Sequence, residues 1–189
     1  MQPGEVVVHY ATYDDFNDEV AFARLGPELD AEEHARLARM RRPEPWRHFL
    51  VAHALRRRAG GEISNLTHTD GAVAVAVAAT GQVGVDVEDL TRTINPRDGF
   101  DRFFTETEWK WIHQADTTVR FLRLWTLKEA WSKAIGLGLS ADLRAAMTDG
   151  RWCYEQWVVD DRYVISVVAT GTEATKFRLK YNDLASTIR

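Results

Sequence analysis

Residues 72–90, "AVAVAVAATGQVGVDVEDL", constrain the fold more than any other part of the chain. Strict alternation of alanine and valine has the period of a strand, with alanine on one face and valine on the other. "VGVDV" follows a short Thr80-Gly81-Gln82 turn, and the two runs together predict a hairpin. That second run finishes on acids. Side chains two apart on a strand share a face, so Asp86 and Glu88 point one way while Val85 and Val87 point the other. Two carboxylates so close repel, and one pKa rises unless a cation lies between them. Either the strand end faces water, or the acids hold a hard cation. Oxygen-only ligands favour magnesium, which takes few protein carboxylates and shares its shell with substrate phosphates.

The rest of the chain reads as a mixture of helices and strands. "EVVVHY" (5–10) predicts a first strand, and "DAEEHARLARM" (30–40) a helix with Asp30 as its cap and acids in its first turn. "RRPEPW" interrupts it, since proline disfavours helix in the preceding residue. A second helix from Pro45 to Ala59 would carry Trp46, Phe49, Leu50, His53 and Ala54 on one stripe, and Gly60-Gly61 would end it. Residues 97–104 fit a loop or a short helix. Thr105 and Glu108 have the spacing of a capping box. A long helix is expected from Thr118 to Ile135, with Gly136 as its stop, and then three strand-like runs, "RWCYEQWVV", "RYVISVVA" and "TKFRLKY". The order is α+β, with no glycine-rich phosphate loop. We expect one compact unit of two lobes, 1–90 and 91–189, each with a sheet and a long helix.

Composition excludes several classes. No run of about 20 apolar residues could span a bilayer, and the start lacks the layout of a signal peptide. A single cysteine, Cys153, allows no internal disulfide and no cysteine-based zinc site. A reducing cytoplasm is the expected compartment. The net charge is −4, so nothing global points to nucleic acid, and the spacing of the seven tryptophans suits core packing rather than base stacking. Residues 36–58 nevertheless hold eight arginines against one glutamate. Such a patch fits a small anionic ligand or a solvated helix face.

Two further pieces accompany the acids. In "FLRLWTLKEAWSKAIGLGL" (121–139), Glu129 and Lys133 lie four apart and share a helix face among tryptophans. The pair could be ordinary helix support. Partial burial would make unpaired charges costly, however, and a metal with a phosphate would compensate them: Glu129 completes an acidic triad and Lys133 meets phosphate oxygen. Upstream, Thr67 and His68 in "NLTHTDG" offer a hydroxyl and an imidazole suited to phosphate.

"NLTH", then "GVDVE", then "WTLKEAWSKAIGLGL" resembles the 4′-phosphopantetheinyl transferases, in particular the longer single-chain kind that activates peptide and polyketide synthases; the likeness runs from about Arg36 to Leu139. The resemblance implies a pseudo-twofold pair of small α/β lobes, each a mostly antiparallel sheet packed on a long helix, with the active site between them. It implies transfer of 4′-phosphopantetheine from coenzyme A to a serine of an apo acyl or peptidyl carrier protein, with Mg2+, releasing 3′,5′-ADP. Carried over residue by residue, Asp86, Glu88 and Glu129 match the metal ligands, and Glu129 and Lys133 the catalytic groups. Lys128, Thr67 and His68 match residues near the phosphates, and Arg47, with Arg41 or Arg42, residues that hold the nucleotide part. A monomer is expected, with no nucleic acid or membrane as partner. The carrier would dock on Leu90 to Phe104, through Arg92, Arg97, Arg102 and Phe103. One departure stands out. Longer relatives carry a Gly-Lys-Pro segment before the "LSH"-like motif, where this chain has only "GGEISN". Two other readings suit the same residues: a magnesium-dependent phosphoryl transferase acting on ATP, and a degenerate relative that binds coenzyme A or a carrier without turnover.

Overall fold

In a computed structural model, which describes residues 2, 4–13, 17–96, 99–171 and 175–184, the chain builds two sheets. The first has the order β2-β3-β1-β7, with β1 at Glu5–Thr12, β2 at Ile63–Thr69, β3 at Ala72–Ala78 and β7 at Lys176–Tyr181. β1 and β2 run antiparallel to β3, whereas β7 lies parallel to β1. The second sheet, β4-β6-β5, is antiparallel throughout, with β4 at Val83–Asp89, β5 at Trp152–Val159 and β6 at Tyr163–Thr170. The architecture is therefore α+β.

The expected hairpin between residues 72–79 and 83–87 does not form. Both edges of β3 are taken, Val75 by His9 of β1 on one side and by Leu66 of β2 on the other. The Thr80–Gln82 bend is a corner that carries the chain to the second sheet, where Asp86 pairs with Ser166. Gly81, at φ +80°, makes that corner. Thr67 and His68 lie on β2, which reaches β4 from the neighbouring sheet. The sheets do not divide at residue 90, because β4 joins the later strands and β7 returns to β1.

The alternation in β3 explains the layering. Its alanines, with Val6 and Val8, face Val83, Val85, Val87, Ile165 and Val167 of the second sheet. Small alanines let the two sheets approach closely. Its valines face the other way, onto Phe49, Leu50, Ala54 and Leu55 of α3 (Pro43–Ala59). On the far side of the second sheet lies α5 (Thr117–Ala134), joined to α4 (Glu106–Ile112) by a core of Phe104, Ile112, Phe121, Leu122 and Trp131. The result is helix, sheet, sheet, helix.

The helix ends follow local chemistry. Thr105 and Glu108 form the expected capping box on α4. Asp30 caps α2 (Ala31–Leu37), and Glu33 completes a second box there. Gly60, at φ +67°, and Gly136, at φ +75°, follow the ends of α3 and α5. A helix the sequence reading did not anticipate, α1 (Asp18–Leu25), is capped by Asn17. Residues 101–103 make a short 3-10 turn. Among the described residues no helix is long and apolar enough to cross a membrane.

Candidate functional site

Gly84 sets how closely α5 lies on β4. A Cβ there would fall 2.0 Å from the Ala130 carbonyl oxygen and 2.5 Å from the Ala134 nitrogen. Its lack of a side chain lets helix backbone rest directly on strand backbone. Asp86, two residues on, shares that face and meets Lys133 one helical turn past Glu129. Lys133 Nζ donates to Asp86 Oδ1 at 2.6 Å, to Thr67 Oγ1 at 3.0 Å and to the Val85 carbonyl at 3.2 Å. Thr67 Oγ1 in turn donates to Asp86 Oδ1 at 3.0 Å. Asn65 Oδ1 accepts the Val85 N–H at 3.1 Å and ties the edge of β2 to β4. Three elements from three parts of the chain converge on one carboxylate.

The electrostatics centre on Asp86, which is only 7% exposed. Burial pushes its pKa up, against the pull of Lys133 and the Thr67 hydroxyl. Glu88 is pushed up by burial and then by Asp86, while Arg92, donating to Glu88 Oε2 at 3.0 Å, pulls it back. Glu129 is raised by burial and again by Asp86. Each outer acid thus feels the charge of Asp86, and the cations at hand leave all three above their ordinary values. Added positive charge is what such a group favours. The ligand atoms of the three acids do not all fall within 4.8 Å of one another; among the described residues the group that does is Glu44, His48 and Asp70. The all-oxygen donor set suits Mg2+, which needs only one or two direct carboxylates.

Thr67, His68, Asp86, Glu88, Arg92 and Lys133 line a pocket of about 310 Å³. A larger hollow of about 620 Å³, between Trp111, Arg123 and Tyr154, lies away from them. The chemistry favours the smaller one, where buried acids, a lysine and a hydroxyl meet. His68 has an exposed edge, yet its ring stacks on His48 with centroids 4.4 Å apart. Burial, then His48 and Lys133, lowers its pKa to about 4, so it is neutral near pH 7.

Several expected site residues lie elsewhere. Lys128 does not face this pocket. It is 1% exposed, donates to the Leu143 carbonyl at 2.6 Å, pairs with Glu108 Oε1 at 2.7 Å and lies over the Phe104 ring. One residue along a helix turns the side chain by about 100°, which separates Lys128 from Glu129. Arg47 is held by Asp18, with Nη2 donating to Oδ2 at 3.1 Å. Arg41 and Arg42 are exposed at the start of α3, with no ion pair among the described residues. The arginine run is largely neutralised from within: Arg56 and Arg57 pair with Glu33, Arg57 also with Asp30, and Arg58 with Glu28. In the expected carrier surface, Arg92 belongs to the pocket, and Phe103 is buried under Arg102. Arg97 lies outside the described residues. Gly84 and Arg92 were missing from the sequence-derived site; the close packing of β4 on α5 that makes Gly84 matter has no signature in a single strand.

Comparison with known proteins points the same way. A sequence model described as the 4′-phosphopantetheinyl transferase superfamily matches residues 82–153. The chain is 30% identical over 125 residues to 4′-phosphopantetheinyl transferase HetI of Nostoc sp. (strain PCC 7120), covering 59% of this chain and 53% of that protein. It is 32% identical over 88 residues to 4′-phosphopantetheinyl transferase gsp of Aneurinibacillus migulanus, covering 45% of this chain and 36% of that one. The alignments span about half or less of either relative. The matched residues 82–153, which carry Asp86, Glu88, Glu129 and Lys133, are thus similar to the 4′-phosphopantetheinyl transferase superfamily.

Proposed function

We propose that this protein moves 4′-phosphopantetheine from coenzyme A to a serine of an apo acyl or peptidyl carrier protein, of the kind found in peptide and polyketide synthases, with release of 3′,5′-ADP. The observation that carries the reading is the convergence of Thr67, Asp86 and Lys133 beside two further raised carboxylates. Asp86, Glu88 and Glu129 would hold Mg2+, which when bound neutralises the diphosphate of coenzyme A. Phosphoryl chemistry of this type depends on alignment and charge rather than on a covalent protein intermediate. Glu129, its pKa raised, is suited to take the proton from the carrier serine Oγ as that oxygen bonds to phosphorus. The bond to the oxygen of the departing 3′,5′-ADP breaks, and Lys133 offsets the charge that develops there. Thr67 and the neutral His68 would contact phosphate oxygens from the β2 side.

Arg47 and Arg41 or Arg42, at the start of α3, would approach the nucleotide, Arg47 after yielding its bond to Asp18. In this reading coenzyme A lies in the groove where the two sheets meet beside Asp86, between halves related by a pseudo-twofold axis, in a cytoplasmic monomer. The test is Asp86→Ala and Glu129→Gln with an apo carrier, coenzyme A and Mg2+. Both variants, shown folded, should lose conversion to the holo form by at least about 100-fold, the scale of a lost general base or charge stabiliser. Wild-type rates in either would contradict the assignment.

A second reading, binding without turnover, is favoured by one observation: the ligand atoms of the three acids do not gather within 4.8 Å. Heat stabilisation by coenzyme A together with no carrier modification would favour it, whereas stabilisation by ATP alone would point to the ATP-dependent class.

A further inference from the structure

We infer that Glu44, His48 and Asp70 form a second divalent-metal site, of the first-row transition kind, separate from the acids around Asp86. Their ligand atoms all lie within 4.8 Å of one another. Glu44 and His48 are four apart in the first turns of α3 and so share a face. Asp70 comes from the turn between β2 and β3, which brings it over the start of that helix. The three donors therefore belong to two elements held together by packing, as a pre-formed site requires.

The imidazole is the independent observation. His48 is only 8% exposed, and among the described residues its ring nitrogens accept and donate no hydrogen bond. Its nitrogens are not sealed in, and the open edge lets an ion reach them. Its orientation is fixed from two sides, by stacking on His68 at 4.4 Å and by edge contact with Tyr13 at 5.9 Å. A ring nitrogen held facing two carboxylates, without bonding to either, suits an ion seated among them. One imidazole with two carboxylates is a donor set for Zn2+ and its neighbours, whose bonds to nitrogen and oxygen run about 2.0–2.2 Å. The all-oxygen set at Asp86 calls instead for a hard ion. Because His68 lines the pocket and stacks on His48, an ion here would also fix the His68 ring. Arg47 on the same helix is bonded to Asp18, although its charge still reaches His48 and Asp70.

The test is calorimetric titration of the full chain with Zn2+ in excess Mg2+, repeated for Glu44→Gln and Asp70→Asn. Both side chains are exposed, so the variants should keep the wild-type melting temperature without metal. The expected result is one Zn2+ per chain for wild type, with affinity reduced at least tenfold in each variant and Mg2+-dependent stabilisation unchanged. No Zn2+ binding to wild type, or binding of equal affinity in all three proteins, would overturn the site.

Discussion

Lys133 Nζ and Asp86 Oδ1 lie 2.6 Å apart, joining the last turns of α5 to the middle of β4. The amine is where positive charge is needed most, and it also touches the Thr67 hydroxyl. Lys133→Met should therefore leave a buried carboxylate with only neutral partners. We expect a loss of about 3 kcal/mol without metal, the scale for breaking a buried pair from one side, and partial recovery on adding Mg2+. Urea denaturation with and without Mg2+ measures both; equal stability of variant and wild type without metal would contradict the pairing.

Asp86, Glu88 and Glu129 are all raised, chiefly by burial. A raised acid binds more protons when folded, so its contribution favours the folded state at low pH and is lost as pH rises above the ordinary carboxylate range. Glu33 runs the other way. Hydrogen bonds from Asp30, His53 and Arg57 outweigh burial and hold it at about 2, so its stabilisation is present above the ordinary value and is lost as pH falls toward about 2. In metal-free protein, Asp86→Asn should flatten the decline that sets in as pH rises above the ordinary carboxylate range, and Glu33→Gln the decline as pH falls toward about 2. Melting temperature against pH checks each separately.

Gly84→Ala should be among the most damaging single changes in the second sheet. The new methyl would meet helix backbone, which cannot swing aside as a side chain can. Overpacking of this kind costs about 1–3 kcal/mol, and it would also draw Lys133 away from Asp86. A drop in both denaturation midpoint and transfer rate is expected; wild-type values for both would show that α5 does not rest on β4 as described.

Lys128→Met should cost about 1–3 kcal/mol of stability, because the Leu143 carbonyl loses its buried donor. Coenzyme A affinity should stay within about twofold, since the lysine faces Glu108 rather than the pocket. Calorimetry on the folded variant reads this, and a tenfold weaker Kd would return Lys128 to the site.

Much of this was legible before any coordinates. The alternation in β3, the boxes at Thr105 and the cap at Asp30, and the stops at Gly60 and Gly136 are local signals, and local structure followed them. The acids and Lys133 were legible from spacing and resemblance. What failed was long-range. A three-residue link between two strand runs serves a hairpin or a corner equally well, and only the occupied edges of β3 decide it. The arginine run fitted an anion patch or a solvated helix face equally well, because the acids that neutralise it, Glu28, Asp30 and Glu33, come about 20 to 30 residues earlier on other elements. Lys128 and Glu129 are adjacent in sequence, so periodicity alone could not say that Lys128 turns to Glu108 while Glu129 feels the charges of Asp86 and Lys133.

The most direct measurement is intact-mass spectrometry of an apo carrier protein incubated with this chain, coenzyme A and Mg2+. The carrier should gain one phosphopantetheine on its serine, with the gain abolished by Asp86→Ala. An unchanged carrier mass with folded wild-type protein, or full modification by the Asp86→Ala variant, would contradict the claim that the Asp86 cluster performs the transfer.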